Sequence, residues 1–238
     1  MKNLVDLVWN EKSYLEFIKY LKDNADEKYR KFQLGILGVH KEIIGIKTPI
    51  LRNLAQEITK GNWNNFICYT QKYYYEESVL KGLVIGYANI SLDKRIEYIE
   101  EFIKDIDNWA VCDICVGNFK FIKENKEYFY PYIKECIKSI NPWKIRLGLV
   151  AILNFYMDTN YLKEIFYICE NIISDDYYVK MAQAWLISIL FINFRDETLI
   201  YLQENNLDSW VQNKGIQKIR ESTRVSVEDK RMILNYKK

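Results

Sequence analysis

The chain contains almost no histidine. Among its 238 residues there is one, His40, in the glycine-flanked segment 35–45. A single histidine argues against catalytic triads, metal sites with several histidine ligands and histidine-based proton transfer. Catalysis would then have to use carboxylates, aromatic rings and cations. We expect His40 itself to be a loop residue rather than a metal ligand or a base.

Proline and glycine are also sparse, with three and nine residues respectively. Because these residues punctuate turns and short strands, their scarcity favours long helices. Apolar residues make up 49% of the chain and charged residues 28%, which is typical of a globular protein with a sizeable core. Nothing marks a domain boundary, so we expect one domain spanning residues 1–238.

Long apolar runs are absent. The longest, residues 184–194, is far shorter than the roughly 20 residues of a membrane-spanning helix. Residues 1–17 carry Asp6, Glu11 and Lys12 and lack the apolar region of a signal peptide. These features predict a cytoplasmic protein.

The five cysteines form no disulfide or metal pattern. Their number is odd in a chain without a secretion signal, so we expect reduced core thiols. Cys112 and Cys115 make a C-x-x-C pair, but no second pair exists and His40 is distant in the sequence. A four-ligand zinc site is incomplete, and we interpret both as packing residues on a helix face. We expect no metal and no cofactor.

Apolar residues recur at helical spacing along almost the whole chain. Residues 77–89 could form a strand by their valine and isoleucine content, but their length and lack of alternation favour a buried helix. The predicted helices cover residues 13–23, 26–37, 49–60, 62–67, 77–89, 92–106, 127–140, 142–156, 160–173, 177–194, 197–203, 210–223 and 227–236. A further helix begins after Asn108. Predicted capping residues are Thr48 before Pro49, Ser91, Asn108, and Ser226 with Asp229 in a capping box.

A repeat is visible in the second half of the sequence. Trp109, Trp143, Tyr177 and Trp210 each stand in the first turn of a predicted helix, at separations of 34, 34 and 33 residues. A more charged amphipathic helix lies between each pair. Units of this length are typical of α-solenoids, and the tetratricopeptide consensus is not matched. We therefore predict an all-α fold, a right-handed solenoid or superhelix of HEAT-like antiparallel helix pairs.

Equivalent positions in stacked repeats should form a row. Three or four residues after each aromatic stand Asp113, Arg146, Lys180 and Lys214, polar residues in otherwise apolar helices. One turn further along are Trp185 and Lys218. A groove with one carboxylate, several cations and aromatic rings suits a polyanion that carries a reactive centre.

The end of the chain is strongly basic. Residues 213–238 contain eight basic and three acidic residues, a net charge of +5 against +2 for the whole chain. Charge alone leaves two interpretations open, a phosphate-binding end and a solvated terminal cap.

An ordered set of short motifs carries a family resemblance. The motifs are Gly45-Ile46-Lys47-Thr48-Pro49, Asn108-Trp109-x-x-x-Asp113, Trp143-x-x-Arg146, the segment 177–185 with Tyr177, Lys180 and Trp185, and Lys214-Gly215-Ile216-Gln217-Lys218-Ile219. Together they span roughly residues 26–225. This set resembles the bacterial DNA alkylation repair family of HEAT-like proteins, which includes the AlkD-type alkylpurine DNA glycosylases.

The resemblance implies a monofunctional glycosylase that removes N3- or N7-alkylated purines from duplex DNA, without a deep base-flipping pocket. Asp113 would stabilise an oxocarbenium-like sugar and position the attacking water. Trp109 and Trp185 would lie against the two sides of the lesion nucleotide, and Arg146 would hold a phosphate. The expected partner is double-stranded DNA bound by a monomer, in the cytoplasm at the nucleoid. The residues expected to contact DNA are Lys47, Thr48, Arg52, Lys180, Lys214, Lys218, Arg220 and Arg224.

The chemistry of these lesions explains why one carboxylate would suffice. A purine alkylated at N3 or N7 already carries positive charge and leaves without a general acid. The catalyst mainly needs a preorganised negative group facing the developing sugar cation. Glycosidases need a second carboxyl group because their leaving groups are poor.

Each proposed site residue also has a structural interpretation. Trp109 and Trp185 could be core aromatics, Asp113 could only pair with Arg146, and Lys180 could be a surface lysine. The resemblance favours a functional role for Asp113, Trp109 and Arg146, and a structural role for Trp143. Two other classes stay open, a non-catalytic HEAT-like DNA-binding protein and a protein–protein scaffold. The first would have no use for Asp113, which repels phosphate.

Two positions depart from the pattern of the family. Leu51 stands before Arg52 where catalytic members carry two consecutive arginines, and Ser188 stands where they carry an arginine after the second tryptophan. Either departure could weaken the affinity for DNA or mark a subgroup with another substrate.

Overall fold

The structure, a computed structural model, describes residues 3–38, 41–71 and 73–238. Within these ranges it contains fifteen α-helices and one 3-10 helix, and the β-type pairing found there is an isolated bridge between Glu42 and Tyr74. The predicted all-α fold is confirmed. The prediction for His40 lies outside the described residues.

The helices follow one another with short connections. They are α1 (Glu11–Asp23), α2 (Glu27–Leu37), α3 (Thr48–Thr59), α4 (Trp63–Tyr69), α5 (Tyr75–Tyr87), α6 (Leu92–Ile103), α7 (Trp109–Val116), α8 (Lys120–Glu124), α9 (Lys126–Ile137), α10 (Pro142–Phe155), α11 (Thr159–Asn171), α12 (Tyr177–Asn193), α13 (Arg195–Gln203), α14 (Ser209–Glu221), α15 (Val227–Met232) and the 3-10 helix Ile233–Tyr236.

The chain divides into two compact units, Met1–Phe121 and Ile122–Lys238. In the first unit α5 lies between α3 and α7, and its residues 75–85 are all buried. The buried helix predicted over residues 77–89 is confirmed, with bounds two residues earlier. Gly82 permits the close approach of α5 to α7, because a Cβ atom there would collide with the thiol of Cys115. Cys112 and Cys115 are fully buried, as predicted for packing residues. The prediction of a core thiol is wrong for Cys68, which is exposed in α4.

The second unit repeats the same arrangement. Helix α12 lies between α10 and α14, while α9 packs on α10 and α13 packs on α12. Contact between every second helix is the pattern of stacked helix pairs in an α-solenoid, which the 34-residue period predicted. Because the repeat is seen within each unit, the prediction of one domain over residues 1–238 stays a prediction.

Local signals located most helix starts. The side chains of Ser91 and Asn108 accept hydrogen bonds from the first turns of α6 and α7, as predicted. Thr48 is not a cap, so that prediction is wrong. Lys47 holds the cap position with extended backbone and no capping side chain, and Thr48 is the first residue of α3. The capping box predicted at the start of α15 is only half formed. The Ser226 hydroxyl accepts a hydrogen bond from the Asp229 N–H group, but the Asp229 carboxylate accepts hydrogen bonds from Arg195.

Candidate functional site

Helix α7 carries Trp109 and Asp113 on one side. Residues four apart share a helix face, and both side chains are partly exposed while Ala110, Val111 and Cys112 are buried. The indole Nε1 of Trp109 lies 3.4 Å from the carbonyl oxygen of Ile36 in α2 and donates to it. An accessible carboxylate and a positioned aromatic ring are thus held on one rigid element.

A hydrogen-bonded network fixes the start of α7. The Asn108 side chain is buried, caps the helix and donates to Asp107 at 2.7 Å. Asp107 forms an ion pair at 3.3 Å with Lys41, whose ammonium also donates to the Ser78 hydroxyl at 2.8 Å and the Asp105 carbonyl at 2.9 Å. The sequence does not predict this role of Lys41, because its partners lie 37 or more residues away.

The turn before α3 is held by a buried carboxylate. Glu76 in α5 is inaccessible to solvent and accepts hydrogen bonds from the backbone N–H groups of Ile44, Gly45 and Ile46 at 2.7–3.2 Å. Burial raises the pKa of Glu76, and the backbone donors oppose that shift. Gly45 has φ of +102°, and a Cβ atom there would lie 2.7 Å from the Cβ atom of Arg30. Much of the Gly45–Pro49 motif is therefore structural.

The predicted DNA contacts of α3 differ in their surroundings. Lys47 is half-exposed and forms an ion pair with Asp26 at 2.8 Å, which raises the pKa of the lysine. Thr48 is partly exposed and Arg52 is exposed, whereas Leu51 is buried in the core. Arg52 lies within electrostatic reach of α7. Burial raises the pKa of the Cys115 thiol, Arg52 opposes the shift and Asp113 adds to it.

In the second unit, Arg146 and two lysines form a group of cations. Arg146 of α10 is 5% exposed, and its Nη1 donates to the carbonyl oxygen of Tyr178 at 2.6 Å. Burial lowers the pKa of Lys218, Glu221 opposes the shift, and Lys214 and Arg146 lower it further. Lys214 and Arg146 therefore both lie within electrostatic reach of Lys218. Like charges held together at a partly buried site favour an anionic ligand.

Helix α12 carries the other two predicted residues. Trp185 is partly exposed, and its carbonyl oxygen accepts a hydrogen bond from the Ser188 hydroxyl at 2.7 Å. Lys180 bridges two carboxylates, Asp175 at 3.3 Å and Asp208 at 3.6 Å. Lys47 and Lys180 thus have acidic partners that compete with phosphate. Asp175 stands close to Lys180 in the sequence, whereas Asp208 and Asp26 are more than 20 residues from the lysines they pair with.

The repeat aromatics of the second unit touch one another. Trp143 packs on Tyr178 with ring centroids 5.0 Å apart, Tyr178 contacts Tyr177 at 5.4 Å, and Tyr177 contacts Trp210 at 6.0 Å. These rings connect the first turns of α10, α12 and α14. Tyr177 and Trp210 are 56% and 40% exposed, so this aromatic row reaches the surface.

The remaining predicted cations lie toward the end of the chain. Arg220 is exposed in the last turn of α14, and Arg224 is exposed beyond that helix. The row predicted from Asp113 through Arg146 and Lys180 to Lys214 extends over both units and stays a prediction.

Comparison with protein families decides the wider class. A family model described as DNA alkylation repair enzyme matches residues 17–219. The chain belongs to the DNA alkylation repair enzyme family. Membership confirms the resemblance and implies DNA as the substrate. The matched range contains the predicted catalytic residues and every predicted DNA contact except Arg220 and Arg224.

Other comparisons and searches add little to the family assignment. No curated protein matches the chain in a sequence search. In the described part of the chain, no helix has the length and apolar character to cross a membrane. No three His, Cys, Asp or Glu side chains in that part are grouped so that they could hold a metal ion.

Proposed function

We propose that this member of the DNA alkylation repair enzyme family is a monofunctional DNA glycosylase acting on N3- and N7-alkylated purines in duplex DNA. Hydrolysis breaks the bond between C1′ of the sugar and the purine nitrogen, and the bonding electrons leave with the cationic base and neutralise it. Water adds to C1′ and loses a proton. The products are a free base and an abasic site.

The single observation that carries the proposal is the position of Asp113, which is partly exposed and one helical turn from Trp109 on α7. A carboxylate fixed on a helix needs no reorganisation when positive charge develops on the sugar, so it stabilises the transition state. Asp113 also accepts a hydrogen bond from the attacking water in this scheme. The leaving base needs no proton, which suits a chain with one histidine.

The other residues bind rather than react. Trp109 packs against the deoxyribose and Trp185 against its other side, following the resemblance to AlkD-type enzymes. The cations Arg146, Lys214 and Lys218 take backbone phosphate, with Lys47, Thr48, Arg52, Lys180, Arg220 and Arg224 as further contacts. The protein acts as a monomer and as one functional domain.

Release of 7-methylguanine from a duplex, measured under single-turnover conditions, tests the proposal. We expect the wild type to release the base and Asp113→Asn to be slower by about 100-fold or more, the scale of losing one transition-state electrostatic contact. Asp23→Asn, at the exposed end of α1, is the matched control and should retain the wild-type rate.

The outcomes separate the alternatives. No release by the wild type from any of several N3- and N7-alkylpurines rules out the glycosylase. Salt-sensitive duplex binding without release would identify a non-catalytic DNA-binding protein. Absence of duplex binding would favour a protein–protein scaffold.

A further inference from the structure

Helix α14 and the last residues of the chain enclose a surface depression of about 490 Å³. It is lined by Trp210, Asn213, Lys214, Gln217, Arg220 and Lys237. Three of these side chains are cationic and none is acidic. The depression therefore joins an exposed aromatic ring to a concentrated positive charge.

The end of the chain is held in place beside α14. Asn213 exchanges two hydrogen bonds with the backbone of Lys238, at 2.9 and 3.1 Å, and Gln212 donates to the Tyr236 carbonyl at 2.6 Å. The Lys238 ammonium donates to the carbonyl oxygens of Asn205 and Leu207. Lys237 is thus fixed in the depression rather than carried on a loose tail.

The Trp210 ring is available for stacking. Its aromatic neighbour Tyr177 meets it at an interplanar angle of 65°, so that contact does not stack in parallel over the indole. Trp210 as a whole residue is 40% exposed, in a unit where most large apolar residues are buried. Lys214 is oriented by Gln217, which accepts from its ammonium at 2.9 Å.

A second depression in the same unit provides a contrast. It measures about 590 Å³ and contains Tyr128, which is 41% exposed, with Lys123 and Lys126. Three carboxylates, Glu124, Glu127 and Asp158, also line it. Tyr128 is as exposed as Trp210, but the acidic side chains around it do not favour binding of an anion.

We propose that the depression at Trp210 binds an unpaired nucleotide of DNA, with its base stacked on the indole and its phosphates near Lys214, Arg220 and Lys237. Aromatic rings beside cations are the means by which proteins bind single strands without reading their sequence. A paired base has both faces covered by its neighbours, so the ligand must be a single strand or a locally melted one. The inference goes beyond the proposed excision, because such a nucleotide can be bound whether or not a base is released.

Binding of two unmodified, fluorescently labelled single strands tests the site. One is oligothymidylate of roughly ten nucleotides, and the other is an abasic oligomer of equal length and charge. We expect the wild type to bind oligothymidylate about tenfold more tightly, the scale of one base–aromatic stack. Trp210→Ala should abolish this preference, and Trp210→Phe should keep most of it.

Matched variants control for charge and for folding. Tyr128→Ala should keep the preference for bases. The double variant Lys214→Gln with Arg220→Gln should lower the affinity for both strands equally. It should also reduce the slope of the logarithm of the binding constant against the logarithm of salt concentration by about 1.4, which is about 0.7 for each lost phosphate contact. Lys123→Gln with Lys126→Gln should leave that slope unchanged. Circular dichroism shows which variants fold, and Trp210→Phe tests the site if Trp210→Ala does not.

Two results would overturn the inference: equal wild-type affinity for the two strands, or a preference that survives in Trp210→Ala. Neither result depends on base release. Failure of the nucleotide site is therefore distinguishable from failure of the glycosylase proposal.

Discussion

Glu76 has a structural role that its position in the sequence does not predict. The sequence predicts a helix that begins at Glu77, so Glu76 stands just before it and has no predicted role. In the structure both are buried, and Glu76 accepts three backbone hydrogen bonds from the turn 44–46. The turn that precedes α3 is therefore built by an acid that stands about 30 residues later in the chain.

Glu76→Gln should destabilise the protein by about 1–3 kcal/mol, because an amide group places an N–H donor where the carboxylate accepts hydrogen bonds from the backbone. Urea unfolding followed by circular dichroism measures the change in the free energy of unfolding. Glu16→Gln, on the exposed side of α1, is the control and should be neutral. Equal stability of the two variants would show that Glu76 does not hold the turn.

At the scale of elements, the start of α7 positions the proposed site. Asn108 accepts hydrogen bonds from the N–H groups of Ala110 and Val111, both at 3.0 Å, and is itself buried. Its cap was readable from the sequence because capping is a local interaction. The network through Asp107 and Lys41 was not, because it joins distant segments.

Asn108→Ala should cost about 1 kcal/mol of unfolding free energy and reduce base release, since a frayed first turn displaces Trp109. Asn62→Ala is a matched control, because Asn62 holds the cap position of α4 without a side-chain capping bond. Chemical denaturation and single-turnover excision on both variants check the prediction. A loss of activity in Asn62→Ala as large as in Asn108→Ala would contradict it.

Other elements show where local rules fail. Thr48 was predicted as a cap, but it is the first residue of α3. The extended cap residue is Lys47, whose ammonium pairs with Asp26. Helix α8, residues Lys120–Glu124, was not predicted, because five residues are too few to show a period. The predicted helix over 227–236 is split into α15 and a 3-10 helix.

At the scale of the whole molecule, positive charge is concentrated in one part of the chain. Residues 213–238 have a net charge of +5, whereas the whole chain has a net charge of +2. The rest of the chain is therefore slightly acidic. The structure distinguishes cations within this group. Lys214 and Arg146 lie within electrostatic reach of Lys218, whereas Lys230 and Arg231 lie in the last turn of the short helix α15.

Duplex binding should weaken steeply with salt, and Lys214→Gln with Lys218→Gln should lower the slope by about 1.8, from about 0.9 for each phosphate contact. Lys230→Gln with Arg231→Gln removes the same charge from α15 and should leave the slope unchanged. Titration of an unmodified labelled duplex at several salt concentrations measures both. Equal slopes for the two double variants would show that net charge, rather than the α14 cations, governs binding.

The sequence by itself determined the helical class, most helix starts, the 34-residue repeat and the family, because periodicity, capping and motif order are properties of neighbouring residues. It also singled out Trp109 and Asp113, since a four-residue spacing defines a helix face. Only the tertiary structure decided that Glu76 supports the turn before α3, that Lys47 pairs with Asp26 and Lys180 with Asp208, and that Trp210 shares a depression with Lys237. Those facts depend on contacts between segments far apart in the chain, which no local pattern encodes.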